Sequence, residues 1–200
     1  MYTVVGSPRS RAMRALWMLE ELEQPYRHVP AAPRSPDALA HNPAGKVPVL
    51  LVEGEPFTDS VAIVQFLADR HGALTAPAGT LARLRQDGLT QFCVDEIEGA
   101  LWTVGKHSFV LPDERRVPAV KETARWEFDR AMAELDRRLG DQPFVTGDAF
   151  TVPDLLIGHC AAWAEAAKMT MPEGRVGAYL ARLRARPALA RAMQRAARAA

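Results

Sequence analysis

The stretch from Gly45 to Ser60 constrains this chain more than any other. Gly45-Lys46 leads into the apolar run Val47-Pro48-Val49-Leu50-Leu51-Val52, and Glu53-Gly54-Glu55 separates it from Pro56-Phe57-Thr58-Asp59-Ser60. Proline has no N–H for a β-ladder and sits only at the first residue of a strand or on an edge, so the strand is predicted to begin at Pro48. Glu53-Gly54-Glu55 reads as a short hairpin loop that returns Phe57 and Thr58 antiparallel to the first strand. Asp59 and Ser60 then stand at a helix start, ahead of Ala62, Ile63, Phe66 and Leu67 on one face. The Val47-Pro48 bond leaves two readings open. A cis bond turns the N–H and C=O of Val47 outward as an edge for an extended peptide; the other reading is an ordinary edge proline.

Upstream, the β-branched run Tyr2 to Val5 ends at Gly6, and Ser7-Pro8-Arg9-Ser10 leads into a helix predicted over Ser10 to Glu23. Arg11, Arg14 and Glu21 fall on one stripe of that helix, with apolar residues over most of the rest. Pro25 ends it, and Tyr26 to Val29 supplies a strand that the crossover helix sets parallel to the first. A short helix around Pro36 to Ala40 sits in a loop region before Gly45. The order β-α-β, short helix, β-β-α is thioredoxin-like.

Downstream the pattern changes. Pro77 and Gly79 mark a linker, and beyond it no strand pattern appears. Helices are predicted over Leu81 to Lys106, Ala119 to Leu139, Thr151 to Lys168, Gly174 to Ala185 and Pro187 to Ala199. Thr151-Val152-Pro153-Asp154 is a capping box with aspartate in the glutamate position, flanked by Phe150 and Leu155 as a hydrophobic staple. The fold class is therefore an α/β thioredoxin-like N-terminal domain followed by an all-α domain. The boundaries are 1–74, a linker at 75–80, and 81–200.

The bulk properties exclude several classes. A formal charge of +1 over 200 residues gives no overall pull toward nucleic acid or an anionic membrane. The arginines of the last helix, Arg191, Arg195 and Arg198, read as the polar side of an ordinary terminal helix whose other face carries Leu189, Ala192, Met193 and Ala196. No apolar run reaches the ~20 residues of a membrane span, and Met1-Tyr2-Thr3 opens a strand with no basic leader, so a cytoplasmic protein is expected. The two cysteines, Cys93 and Cys160, read as buried apolar groups, and the five histidines show no ligand spacing. No metal is expected.

Ser7-Pro8-Arg9-Ser10-Arg11, Trp17-Met18-Leu19-Glu20-Glu21-Leu22, Asn42-Pro43-Ala44-Gly45-Lys46-Val47-Pro48 and Asp59-Ser60 together resemble the cytosolic glutathione transferases, in their serine-type, bacterial theta- or tau-like form. Gly147-Asp148-Ala149-Phe150-Thr151-Val152-Pro153-Asp154 resembles that family's helical domain. The resemblance implies glutathione as co-substrate, a small hydrophobic electrophile as second substrate, a detoxification role and a homodimer. It also implies a helical domain that completes a hydrophobic substrate pocket. Three alternatives belong to the same fold: a binding protein that holds glutathione or hydrophobic ligands without turnover, a protein-interaction module, and a glutathione-dependent peroxidase or isomerase.

Glutathione carries two carboxylates, an ammonium and a thiol along an extended tripeptide, and each has a candidate here. The resemblance assigns Val47, before a cis Pro48, to the cysteinyl backbone. Ser60 at a helix N-terminus suits the γ-glutamyl carboxylate, and Asp59 the ammonium. Lys46 suits the glycyl carboxylate as a flexible point charge, and His41 borders the site. Ser7 and Ser10 stand where a thioredoxin carries its reactive cysteines, so dithiol exchange is excluded, but a hydroxyl can donate to a bound thiolate. The resemblance matches the catalytic serine to Ser7, while Ser10 fits a helix cap. It places Trp102, Lys106, His107 and Phe109 at the mouth of the second-substrate pocket, and Asp95 and Glu96 toward a partner subunit's glutathione.

Overall fold

Four short strands and nine α-helices make up the computed structural model of the chain, which describes residues 1–199. Strands β1 (Tyr2–Val5), β2 (Tyr26–Val29), β3 (Val49–Val52) and β4 (Glu55–Thr58) form one sheet in the order β2-β1-β3-β4. Helix α1 (Ala12–Glu21) carries the chain from β1 to β2, which pair in parallel with Val4 opposite His28. The hairpin places Leu50 opposite Phe57, and β3 runs antiparallel to β1 with Val5 opposite Val49. Pro48 stays outside the ladder, so the strand starts one residue later than the sequence indicates. Glu53 and Gly54 both have positive φ and make the turn, while Glu55 already pairs in β4. Helix α2 (Pro36–Leu39) is capped by Ser35, and α3 (Ser60–His71) ends on the left-handed Gly72.

The chain divides into two units, one of residues 79–183 and one that joins residues 1–78 to those from Arg184 onward. The last helix, α9 (Pro187–Ala199), thus groups with the sheet-containing unit, whereas the sequence reading counts it with the helical residues 81–200. Its apolar stripe is small: Ala188, Ala192 and Ala196 are buried, whereas Met193 is exposed. Its arginines supply the rest of the attachment. Arg191 Nε donates to Glu20 Oε2 at 3.0 Å and its Nη2 to the Glu20 carbonyl at 2.9 Å. Arg195 donates to Glu20 Oε1 at 3.2 Å and stacks 4.2 Å from the centre of the Tyr26 ring. Arg186 Nη2 reaches Glu21 Oε2 at 2.7 Å, and the same carboxylate accepts from the Trp17 indole. Arg191 and Arg195 are clamps on α1, and no longer the free face of a terminal helix.

Burial pushes the Glu20 carboxyl up, but hydrogen bonds from Tyr26, Arg191 and Arg195 outweigh it and hold the group below the usual carboxylate range. A lowered folded value contributes stability that is present above the unfolded value and is lost as pH falls through the folded one. Glu20→Gln is therefore expected to lower stability by roughly 1 to 2 kcal/mol at neutral pH, the arginines being half in water. Thermal melts of both proteins from pH 7 to pH 3 should show the gap closing below about pH 4. A gap that is constant with pH would dismiss the charge as its source.

The other unit is helical. Helix α4 (Leu81–Phe92) continues through a π-helical stretch at Cys93–Glu98 into α5 (Gly99–Gly105), and a second π-helical stretch covers Lys106–Val110. The long helix expected from Leu81 to Lys106 is thus one rod with two widened turns, and a 3-10 turn at Asp113–Arg115 precedes α6 (Val120–Leu139). Helix α7 (Val152–Ala166) is buried along most of its length, and α8 (Gly174–Arg184) follows it. Phe128, Leu135, Leu155, Ile157 and Tyr179 lie in this core. Among the described residues no helix is long and apolar enough to cross a membrane.

Candidate functional site

The loop after β1 is shaped by Gly6. Its φ is +151°, and a Cβ there would lie 2.7 Å from that of Ala12 and 3.1 Å from that of Val47. Only glycine lets this loop close against Val47-Pro48. Gly6 N–H donates to the Val29 carbonyl, and the Gly6 carbonyl lies 2.9 Å from His28 Nε2. A carbonyl can only accept, so His28 Nε2 carries the hydrogen. His28, given no role by sequence reasoning, thus holds the residue next to Ser7.

The two serines of this loop differ in what their hydroxyls do. Ser10 Oγ donates to the Ser7 carbonyl at 2.7 Å and accepts from Ala12 N–H at 3.1 Å. Helix α1 starts at Ala12, two residues after the predicted start, because residues 8–11 form the turn that Ser10 braces. Ser7 Oγ accepts a long 3.3 Å bond from Arg9 N–H. The Ser7 hydroxyl hydrogen has no acceptor among the described residues.

Across from this loop the Val47-Pro48 bond is cis. Val47 lies outside the β3 ladder, and its backbone N–H and C=O make no hydrogen bond among the described residues. Asn42 holds the neighbouring turn. Its Nδ2 donates to the Lys46 carbonyl at 2.9 Å, its Oδ1 accepts from Ala44 N–H, and its own carbonyl accepts from Gly45 N–H at 2.7 Å. The Lys46 side chain is exposed on that turn, and His41 is half-buried just before it.

Asp59 caps α3 with φ of +70°, a left-handed conformation that is strained for an aspartate. Its Oδ1 accepts from Val61 N–H at 2.9 Å and Ala62 N–H at 3.2 Å. Ser60, the first residue of α3, is buried with its hydroxyl accepting from Arg14 Nη1 at 3.1 Å. Arg14 itself is fully buried. The polar stripe on α1 is therefore not a solvent face at this position, and Arg14 is the residue that sequence reasoning missed. One signal was available: Arg14 interrupts an otherwise apolar series from Ala12 to Leu19, where a solvated cation is out of place.

In the helical unit Trp102 and Trp163 meet edge to face at 6.2 Å, and a Cβ on Gly105 would lie 3.6 Å from Trp163 and 3.7 Å from Phe109. Phe109 is exposed, Lys106 is half-buried, and His107 Nδ1 accepts from Val117 N–H at 3.0 Å. His107 thus braces the loop after the rod. Asp95 and Glu96 are exposed. The described residues contain no cluster of three or more His, Cys, Asp or Glu placed to hold a metal ion.

Comparison with known proteins agrees with this arrangement. Residues 1–77 match the glutathione S-transferase N-terminal domain family, and residues 118–195 match the glutathione S-transferase C-terminal domain family. The glutathione S-transferase GstB of Escherichia coli is 31% identical, over 78% of this chain and 80% of its own length. A crystal structure of a glutathione transferase from Methylococcus capsulatus superposes with a TM-score of 0.85 at 28% identity, over 98% of this chain and 99% of that one. A sphingomonad glutathione S-transferase complexed with glutathione gives a TM-score of 0.84 at 26% identity, covering 98% of both chains. The chain belongs to the glutathione S-transferase family.

Proposed function

We propose that this protein is a glutathione transferase that binds glutathione on the thioredoxin-like unit, stabilises its thiolate and directs it at a small hydrophobic electrophile. The observation that carries the reading is the hydroxyl pattern of the β1–α1 loop. Ser10 commits its hydrogen to the Ser7 carbonyl, and Ser7 retains one to donate. Ser7 is the catalytic donor, and Ser10 holds its backbone. The open N–H and C=O of Val47 pair with the cysteinyl residue, with Pro48 fixing the turn. Ser60 and the α3 N-terminus take the γ-glutamyl carboxylate. Asp59, whose Oδ1 is engaged in capping, offers Oδ2 to the ammonium. Lys46 meets the glycyl carboxylate, and His41 flanks it. The aromatic group of Trp102, Trp163 and Phe109 is an apolar surface suited to the electrophile, with Lys106 and His107 beside it.

The reaction requires reduced glutathione and is assigned to the cytoplasm. Retention on immobilised glutathione followed by turnover of an activated aryl halide tests the function. Retention without turnover of aryl halides, peroxides or isomerisable substrates would make it a binding protein, and neither would make it an interaction module.

The active form is assigned as a homodimer. Phe57 on β4 and Phe66 on α3 are exposed large apolar side chains in one unit, and Leu81 and Leu84, three residues apart on α4, are exposed in the other. A second copy related by two-fold symmetry covers such faces. Sedimentation at micromolar concentration should give dimers, and Phe57→Asp should shift them to monomers. Monomeric wild-type protein would refute the assignment and with it a role for Asp95 or Glu96 across the interface.

A further inference from the structure

We infer that Arg14 is a positioning residue for glutathione, one that fixes the Ser60 hydroxyl as a donor to the γ-glutamyl carboxylate. The inference rests on the glutathione-binding reading above and goes beyond it by assigning a residue that makes no contact with the ligand. A serine hydroxyl has one hydrogen and two acceptor sites, and a guanidinium can only donate. Arg14 Nη1, 3.1 Å from Ser60 Oγ, therefore occupies an acceptor site and forbids the Ser60 hydrogen from pointing back toward α1. Ser60 is only 4% exposed, yet its hydrogen meets no acceptor among the described residues. It is left for a ligand.

The location decides which ligand. Ser60 opens α3, whose first N–H groups have no intrahelical partner and carry the positive end of the helix dipole. Asp59 Oδ1 accepts from Val61 and Ala62, leaving the Ser60 N–H beside the Ser60 hydroxyl. Two adjacent donors at a helix N-terminus, with a fully buried guanidinium behind one of them, favour a bidentate anion. Arg14 thus acts twice. It orients the hydroxyl, and it adds a fixed positive charge that water screens weakly because the group is buried. Its effect belongs to the γ-glutamyl end of the ligand and not to the thiol.

The test uses the full-length protein with glutathione and with γ-aminobutyryl-cysteinyl-glycine, the same tripeptide lacking only the γ-glutamyl carboxylate. Arg14→Met should raise the KM and Kd for glutathione at least tenfold with kcat changed less than threefold. The decarboxylated tripeptide should bind wild type and variant within twofold of each other. Ser60→Ala should show the same selective loss, and the double variant should lose less than the two single losses combined, because part of the Arg14 effect runs through that hydroxyl. Equal losses for the two tripeptides, or additive losses in the double variant, would reduce Arg14 to a packing role and overturn the inference. Should Arg14→Met not fold, a crystal structure of the wild type with glutathione decides. Ser60 Oγ must lie within hydrogen-bond distance of both Arg14 and the γ-glutamyl carboxylate, and a carboxylate bound elsewhere overturns it. Wild-type protein that binds no glutathione overturns both this inference and the functional reading. Binding without discrimination between the tripeptides overturns this one alone.

Discussion

Asp154→Ala is expected to destabilise the helical unit by about 3 to 5 kcal/mol, against a total of ~5 to 15 for an ordinary domain. Asp154 is fully buried, and its two oxygens accept from four donors. Oδ1 takes Val145 N–H at 3.0 Å and the Tyr179 hydroxyl at 2.8 Å. Oδ2 takes Thr151 N–H at 2.8 Å and the Thr151 hydroxyl at 3.0 Å. One carboxylate thus ties the cap of α7, the turn before it and α8 together. Removing it orphans buried donors at about 1 to 3 kcal/mol each, partly relieved by water entering the gap. Tyr179→Phe removes one donor of the four and is expected to cost only about 1 kcal/mol. Thermal unfolding reads both, with a drop of roughly 6 to 20 °C for the alanine variant. A melting temperature within 3 °C of wild type would show that this network is not what holds the cap.

That network marks how far the sequence could be read. Thr151-Val152-Pro153-Asp154 is local, so its capping box and the buried flanking Phe150 and Leu155 follow from spacing alone. Tyr179 lies 25 residues further on, and nothing in a helical repeat says which tyrosine faces which cap. The same division holds in the sheet-containing unit. The hairpin, the Asp59 cap and the Gly72 stop are written in turn and cap residues. The attachment of α9 is not, because Glu20 and Arg191 are 171 residues apart and each alone looks solvated. Arg14 was hidden for a related reason. Periodicity gives a stripe on α1 its polarity, but only the packing of α3 on α1 shows whether that stripe meets water or the N-terminus of another helix. Of the candidate site, the cis Val47-Pro48 turn and the Asp59 cap ahead of Ser60 were legible in the sequence. The side chains that orient it, His28, Asn42 and Arg14, come from tertiary contacts.

Ser7→Ala is expected to lower turnover at neutral pH by roughly ten- to a hundredfold, with glutathione affinity changed much less. A free thiol titrates near ~8.5, so only a few per cent is thiolate at neutral pH. Lowering that value by about two units requires roughly 2.7 kcal/mol of preference for the thiolate. One hydrogen bond to a charged acceptor supplies about 1.5 to 3 kcal/mol, and the N-terminus of α1 adds ~0.3 to 1. Those two sources suffice without a general base. The hydroxyl pattern of the loop sharpens the control. Ser10 already donates to the Ser7 carbonyl and accepts from Ala12 N–H, so Ser10→Ala should mainly cost about 1 kcal/mol of stability by loosening the turn. It should leave the thiol titration nearly in place. The measurement is the ultraviolet absorbance of bound thiolate against pH in wild type and both variants. Ser7→Ala should move the midpoint up by one to two units, roughly the energy of the lost hydrogen bond. A shift in Ser10→Ala with none in Ser7→Ala would transfer the donor role to Ser10 and require the Ser10 hydroxyl to leave the Ser7 carbonyl when glutathione binds.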